Sequence, residues 1–198
     1  MISEIIFISI LSILIAILIL LTTKKRPDII NRNFEIKGYK LLILTAVIEI
    51  TAQFLFKRFP YNNLLKFLSL SWLIYFAIFY VAARNISKSY MMLFFIGTLL
   101  NFIAIASNNF KMPVLVSEIL GDVEAKKLYL QTGQDLIHSL LTDKTKFKFL
   151  CDIITIPSPY PFPITISIGD VFLLGGIFAF WQDILEGKKS RKKRKIIT

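Results

Sequence analysis

One ionisable side chain lies deep in an apolar run of this sequence: Glu49, within residues 39–56. Gln53 follows at i+4 and Thr45 precedes at i−4, so all three share one face of a helix. A charge in hydrocarbon costs several kcal/mol, so such a residue turns towards a bundle interior, a polar cavity or a partner. Two chemistries fit this face. One is a proton or cation site, or a substrate contact. The other, plainer one is an interhelical hydrogen bond with Glu49 protonated and Gln53 as its polar neighbour. Asn101 sits in a later apolar run, 90–106, with Gly97 and Ala104 on the same helix. Small residues permit close helix approach, so Asn101 reads first as a packing contact and second as a partner for the Glu49 face.

A second set of polar residues lies between 107 and 170. Asp135 and His138 stand at i+3, and Asp143 follows. One His and scattered carboxylates fall short of a metal site, so no metal is expected. Cys151 is the only cysteine, which excludes an intramolecular disulfide and a Cys-rich metal site. Asp152, Asp170 and His138 would make an acid–base site only if the fold brings them together. The sequence carries no Gly-rich phosphate loop, zincin helix, Ser–His–Asp spacing or iron–sulfur cysteines. No catalytic residue and no cofactor are assigned.

The elements that must position these residues are set by hydropathy. Apolar runs cover about 2–21, 39–56, 67–83, 90–106 and 164–181. A bilayer core about 30 Å thick needs roughly 20 helical residues, so each run is long enough to span. The expected fold is an all-α integral membrane protein of about five transmembrane helices. A four-span arrangement, with run one or run three placed otherwise, is the alternative. Residues 1–183 form one polytopic membrane domain and 184–198 a basic tail. No repeat of 20–50 residues is visible, which argues against a transporter built from two halves in one chain.

The net charge is +11. Beside spans, that excess reads as positive-inside bias and anionic-lipid attraction, with no nucleic acid expected. The run 2–21 has no basic flank ahead of it, and Lys24, Lys25 and Arg26 follow it, which fits an uncleaved span with its N-terminus outside. Arg32, Lys37, Arg84, Lys88 and the tail, from Lys188 to Lys195, then fall inside. Lys57, Arg58 and Lys66 fall outside, where snorkelling accommodates them. The expected location is the bacterial cytoplasmic membrane, with the C-terminus cytoplasmic. Trp72, Tyr75 and Trp181 sit near span ends, as interfacial aromatics do.

The outer loop, 107–163, is expected to be partly helical and Pro-rich. Asn108, Asn109 and Pro113 stop the fourth span. Ser117 reads as an N-cap, followed by an apolar stripe of Leu115, Ile119, Val123 and Leu128. After Gly133, a second amphipathic helix is expected, with Leu136, Ile137, Leu140 and Leu141 on one side. Both would lie on the outer face of the membrane or over the bundle mouth. Prolines at 157, 159, 161 and 163 favour an extended connector pressing Tyr160 and Phe162 onto protein or headgroups. Ser167-x-x-Asp170 is a helix-start device, and Asp170 is expected to pair with Asn108 or Lys111.

Asn108-x-x-x-Met112-Pro113-Val114, then Asp152 ahead of the prolines, then Ser167-x-Gly169-Asp170-Val171, together resemble the signature of an uncharacterised bacterial membrane family, known as a domain of unknown function. The resemblance covers about 101–176 by motif and the first three spans by hydropathy. The chain departs from it at Asn109 and Phe110, where the family commonly has glycine. It implies a multi-spanning bacterial membrane protein and supplies no activity. The loop-end residues Asn108, Met112, Pro113, Asp152, Ser167, Gly169 and Asp170 are therefore candidates, beside Glu49, Gln53 and Asn101 in the spans.

The leading expectation is a non-enzymatic membrane protein whose outer loop and basic tail contact partners or lipid. Its partners are the bilayer, anionic lipid at the tail, and a second copy or another membrane protein. The alternative is a small transporter or channel subunit using Glu49 and Gln53. A membrane enzyme at the outer mouth comes third.

Overall fold

Most of the described apolar residues lie in helices, which satisfy their own backbone hydrogen bonds. The computed structural model describes residues 2–23, 36–59, 64, 72–132, 135, 137–161 and 163–186. Among the described residues, six α-helices and four short strands follow in order. They are α1 (Ile2–Thr23), α2 (Tyr39–Arg58), α3 (Trp72–Arg84), α4 (Ser89–Ser107), β1 (Met112–Val114), α5 (Val123–Gln131), β2 (His138–Leu140), β3 (Ile154–Ile156), β4 (Ile164–Ile166) and α6 (Ile168–Glu186). The chain is thus mostly helical, with little sheet.

Among the described residues, Tyr39–Phe56 of α2 and Ser89–Ser107 of α4 are long and apolar enough to cross a membrane. The α3 helix has 13 residues, and the start of the expected span 67–83 lies outside the described residues. The last expected span starts too early in the sequence reading. Residues Ile164–Ile166 are strand β4, and the helix begins at Ile168. Three isoleucine/threonine positions prefer the pleat when a partner strand is present. The basic stretch 24–35 and the tail 187–198 lie outside the described residues.

Two compact units are distinguished by their internal contacts. The larger covers Glu35–Gly176. In it, α3 packs against both α2 and α4. Phe79 meets Phe95 and Phe102 edge-on, at ring-centre distances of 5.5 and 5.8 Å. Asn85 in the α3–α4 turn accepts from the Lys37 backbone N–H at 3.0 Å and donates to the Lys37 carbonyl at 2.9 Å. That pair of bonds pins the entrance of α2. In the smaller unit, Met1–Phe34 with Ile177–Thr198, the Ser12 hydroxyl donates to the Phe178 carbonyl at 3.0 Å. Gln182 in turn donates to the Ser12 carbonyl at 3.1 Å.

The 107–163 loop differs most from expectation. Ser117 does cap, but what it caps is a single 3-10 turn, Glu118–Leu120, and the helix starts six residues later under Asp122, whose carboxylate accepts from Ala125 N–H at 3.0 Å. Leu115, Ile119 and Leu128 are exposed, and they are divided between the segment before the 3-10 turn, that turn and the later helix rather than carried on one helix. The expected second helix is absent: His138–Leu140 is a strand, parallel to β1 in register Met112↔His138. Leu136 and Gly133 fall outside the described residues. The prolines do not form a plain extended connector. They turn a hairpin in which Ile154–Ile156 pairs antiparallel with Ile164–Ile166. Phe162 lies outside the described residues. In the two strand pairs a long-range backbone partner outweighed local spacing, because unpaired backbone groups are costly once buried.

Asn109 and Phe110 have φ of 56° and 57°. That is the left-handed region where glycine is least strained. The core of the loop lies against the end of α4, where Ala104, Ile105, Met112, Leu150 and Cys151 are buried together.

Candidate functional site

The site is built where the start of α6 meets the middle of α4. Gly97 and Gly169 face one another so closely that a Cβ on Gly97 would stand 2.6 Å from the Gly169 carbonyl oxygen. A Cβ on Gly169 would overlap the Asn101 side-chain amide. The two glycines thus allow an approach that brings polar groups into reach across the helices. Asn101 donates to Asp170 Oδ1 at 2.8 Å, and the Ser167 hydroxyl donates to Asn101 Oδ1 at 2.7 Å. Ser167 Oγ accepts from Asp170 N–H at 2.9 Å, while Ser167 N–H donates to Asp170 Oδ2 at 3.0 Å. This is a reciprocal helix cap with one added arm, Asn101, reaching in from a neighbouring helix. Asn101 and Ser167 are fully buried. Tyr75 on α3 also lies beside Asn101, so three helices meet at this amide.

Asp152 approaches from the loop. Its backbone is fixed on the far edge of β1: its N–H donates to Pro113 O at 3.0 Å and its carbonyl accepts from Leu115 N–H at 2.8 Å. Met112, Pro113 and Val114 are all buried by this three-segment arrangement. The Asp152 side chain is only 6% exposed, and its Oδ1 has no hydrogen-bond partner. Burial, and next the charge of Asp170, push the Asp152 carboxyl up to about 7. Burial and the neighbouring Asp152 charge raise the Cys151 thiol to about 11, far from a reactive thiolate.

His138 lies on β2, on the other edge of β1. It is paired with Asp135 through Nδ1···Oδ2 at 3.0 Å, and Asp135 Oδ1 accepts from the backbone N–H groups of Ile137 and His138, both at 2.8 Å. The i+3 pair therefore forms on a turn into a strand, not on a helix. Burial alone would raise Asp135, but the hydrogen bonds from His138 outweigh it and hold the carboxyl at about 2. Burial lowers His138, but the Asp135 hydrogen bond and the charges of Asp135, Asp152 and Asp170 outweigh that and raise it. His138, Asp152 and Asp170 thus act on one another through their charges, although they come from three separate elements.

The remaining candidates lie apart from this junction. Asn108 pairs with neither Asp170 nor the expected helix end alone. It donates to Ala104 O at 2.8 Å and Lys146 O at 2.9 Å, and accepts from Lys146 N–H at 2.9 Å, clamping the loop to α4. Lys111 donates to the Asp135 carbonyl, so the expected Asp170 partners are replaced by Asn101 and Ser167. Asp170 stands at a helix start, where the cap saturates it first. Glu49 is 7% exposed and accepts from Gln53 Nε2 at 3.4 Å. Thr45 bonds back to the carbonyls of Leu41 and Leu42. Among the described residues no group of three or more His, Cys, Asp or Glu is placed to hold a metal ion.

Thr98 and Asn85 were not singled out from the sequence, and Tyr75 reads there only as an interfacial aromatic. Thr98 is fully buried with its hydroxyl unpartnered, three residues before Asn101 on the same face. A polar residue one turn from Asn101 inside an apolar run was the available signal.

A family model described as "Family of unknown function (DUF5317)" matches residues 33–182. The chain is 28% identical over 168 residues to a protein of Thermotoga maritima named "Uncharacterized protein", covering 85% of this chain and 86% of that one. No solved structure matches the chain.

The glycine contact predicts a graded effect. Gly169→Ala should lower stability by about 1–3 kcal/mol through overpacking against Asn101. Gly175→Ala, where a Cβ meets only Leu93 at 4.0 Å, should be neutral or stabilising. Thermal unfolding in detergent measures both, and equal effects at the two positions would contradict the contact.

Proposed function

This chain belongs to the DUF5317 family of unknown function, and on that premise we propose a multi-pass protein of the bacterial cytoplasmic membrane, acting without catalysis through lipid and partner contacts of its 107–163 loop and basic tail. The observation that carries this reading is the inverted face of α2. Its buried positions are Thr45, Glu49 and Ala52, while Ile43, Val47, Ile50 and Phe54 are 56–74% exposed. A water-soluble helix buries its apolar face, so a helix that hides its polar stripe and presents branched aliphatics outward is matched to hydrocarbon. Five spans, with the N-terminal end of α1 and the loop outside and the tail in the cytoplasm, extend that reading to the whole chain.

The loop supplies the contact surface. The Asn108 clamp holds the Lys146–Phe149 segment at the end of α4, where Phe110 also emerges. Phe110, Phe147 and Phe149 are exposed, and Phe147 takes φ 49°, a left-handed conformation uncommon for an aromatic residue. Lys111, Lys144, Lys146 and Lys148 alternate with them along the chain. Aromatic rings among lysines suit the headgroup layer of an anionic leaflet, the rings at the acyl boundary and the ammonium groups on phosphate.

A second reading, a small transporter or channel subunit, is favoured by one observation: Glu49 is buried beside Gln53 within an apolar helix. Ion flux into vesicles separates the two. Under the contact reading Glu49→Gln changes no flux; a proton-coupled or cation flux lost on that substitution would replace it with the transport reading.

The contact reading itself is tested by Phe149→Trp in a background with Trp72 and Trp181 changed to Phe. In anionic vesicles the new fluorophore should be quenched by lipids spin-labelled at the headgroup level. Fluorescence as insensitive to those lipids as that of a water-exposed tryptophan would contradict it.

A further inference from the structure

The junction described above contains one group that neither contact nor transport through Glu49 uses. We propose that the Asp152 carboxyl, enclosed beside β1 with one oxygen that no donor answers, is a proton-binding site.

The geometry argues this in three steps. Asp152 cannot leave: its N–H and C=O are both tied to β1, so the side chain must project from a fixed backbone. Its Oδ1 is enclosed and has no partner. A buried carboxylate oxygen left unpaired costs several kcal/mol, and the smallest ligand that removes the cost is a proton. A metal ion would need further ligands, and none are grouped for one among the described residues.

Asp170, in contrast, has both carboxyl oxygens hydrogen-bonded. Its two oxygens accept from Asn101 Nδ2 and Ser167 N–H, and it stands in the first turn of a 19-residue helix, whose N-terminal dipole favours an anion. The enclosed Asp152 carboxyl, with an oxygen that no donor answers, is the one whose setting favours a proton. The groups that act on Asp152 come from every side. Asp170 on α6 repels its charge, while His138 on β2 and Lys126 on α5 oppose that. Cys151 precedes it in the chain, and Tyr75 on α3 lies within the same field.

The pH dependence follows in sign. Raised from 3.8 to about 7 in the folded protein, this carboxyl favours folding in its protonated form. Its contribution is complete below the unfolded value and is lost as pH rises through about 7. A shift of that size spans about a thousandfold in proton affinity, by the tenfold-per-unit relation.

Infrared difference titration of the full-length protein in detergent or vesicles tests this. The wild type should show a protonated-carboxyl band that disappears with a midpoint near 7, well above ordinary carboxylates. The same component should be missing from Asp152→Asn, which mimics the protonated form and should remain folded. In His138→Gln the midpoint should rise, because a favourable positive neighbour is removed while the negative ones remain. A component titrating near 7 that persists in Asp152→Asn overturns the assignment. So does a wild type with no such component, or a midpoint that falls or stays fixed in His138→Gln.

Discussion

The hydrogen bonds of Asn101 with Ser167 and Asp170 are the constraint on which the rest of this structure depends. Each of the three side chains would be expensive to bury alone; together they leave no oxygen or nitrogen of the cap unanswered. The set forms only because Gly97 and Gly169 let two helices approach without Cβ atoms between them. Once made, it fixes where α6 begins, and therefore where β4 must end. Strand β4 carries its partner β3, and β3 follows Asp152 directly in the chain. The position of the buried carboxyl is thus set by a cap formed with a different helix.

The same logic explains why the polar groups of this protein lie inward. In α2, Thr45, Glu49 and Ala52 form the buried stripe, and apolar residues face outward. In α4 the buried face carries Gly97, Thr98, Asn101 and Ala104. On the proposed membrane reading, a polar side chain without water to compete is best placed against another helix, while Ile, Val and Phe lose nothing by facing lipid. Helix contacts here are made by small and polar residues plus edge-on Phe pairs between α3 and α4. No large aliphatic core between these helices is needed.

Local signals were legible wherever the partner is near in sequence. The spacing Thr45–Glu49–Gln53 places those residues on one face whatever else the chain does, and Ser167-x-x-Asp170 identifies a helix start from its own two residues. The Asn108–Pro113 stop is legible for the same reason. What could not be read was set by pairing over distance. His138–Leu140 has helix-compatible neighbours, but the backbone of Met112–Val114 claims it as a parallel strand. The proline-rich segment looks extended by itself and becomes a hairpin turn because Ile154–Ile156 finds Ile164–Ile166. For Asp170 the motif spacing offered Asn108 or Lys111, 62 and 59 residues back, and Asn101, 69 residues back, takes their place. The burial of Asp152 follows from these pairings and from nothing in its own surroundings in the sequence.

The most direct measurement of the central claim is a double-mutant cycle between Asn101→Leu and Asp170→Asn, read by thermal unfolding in detergent. If the two side chains hold the junction through their mutual bond, the substitutions will be non-additive, with a coupling of about 1–3 kcal/mol. Strict additivity, within about 0.3 kcal/mol, would contradict the account.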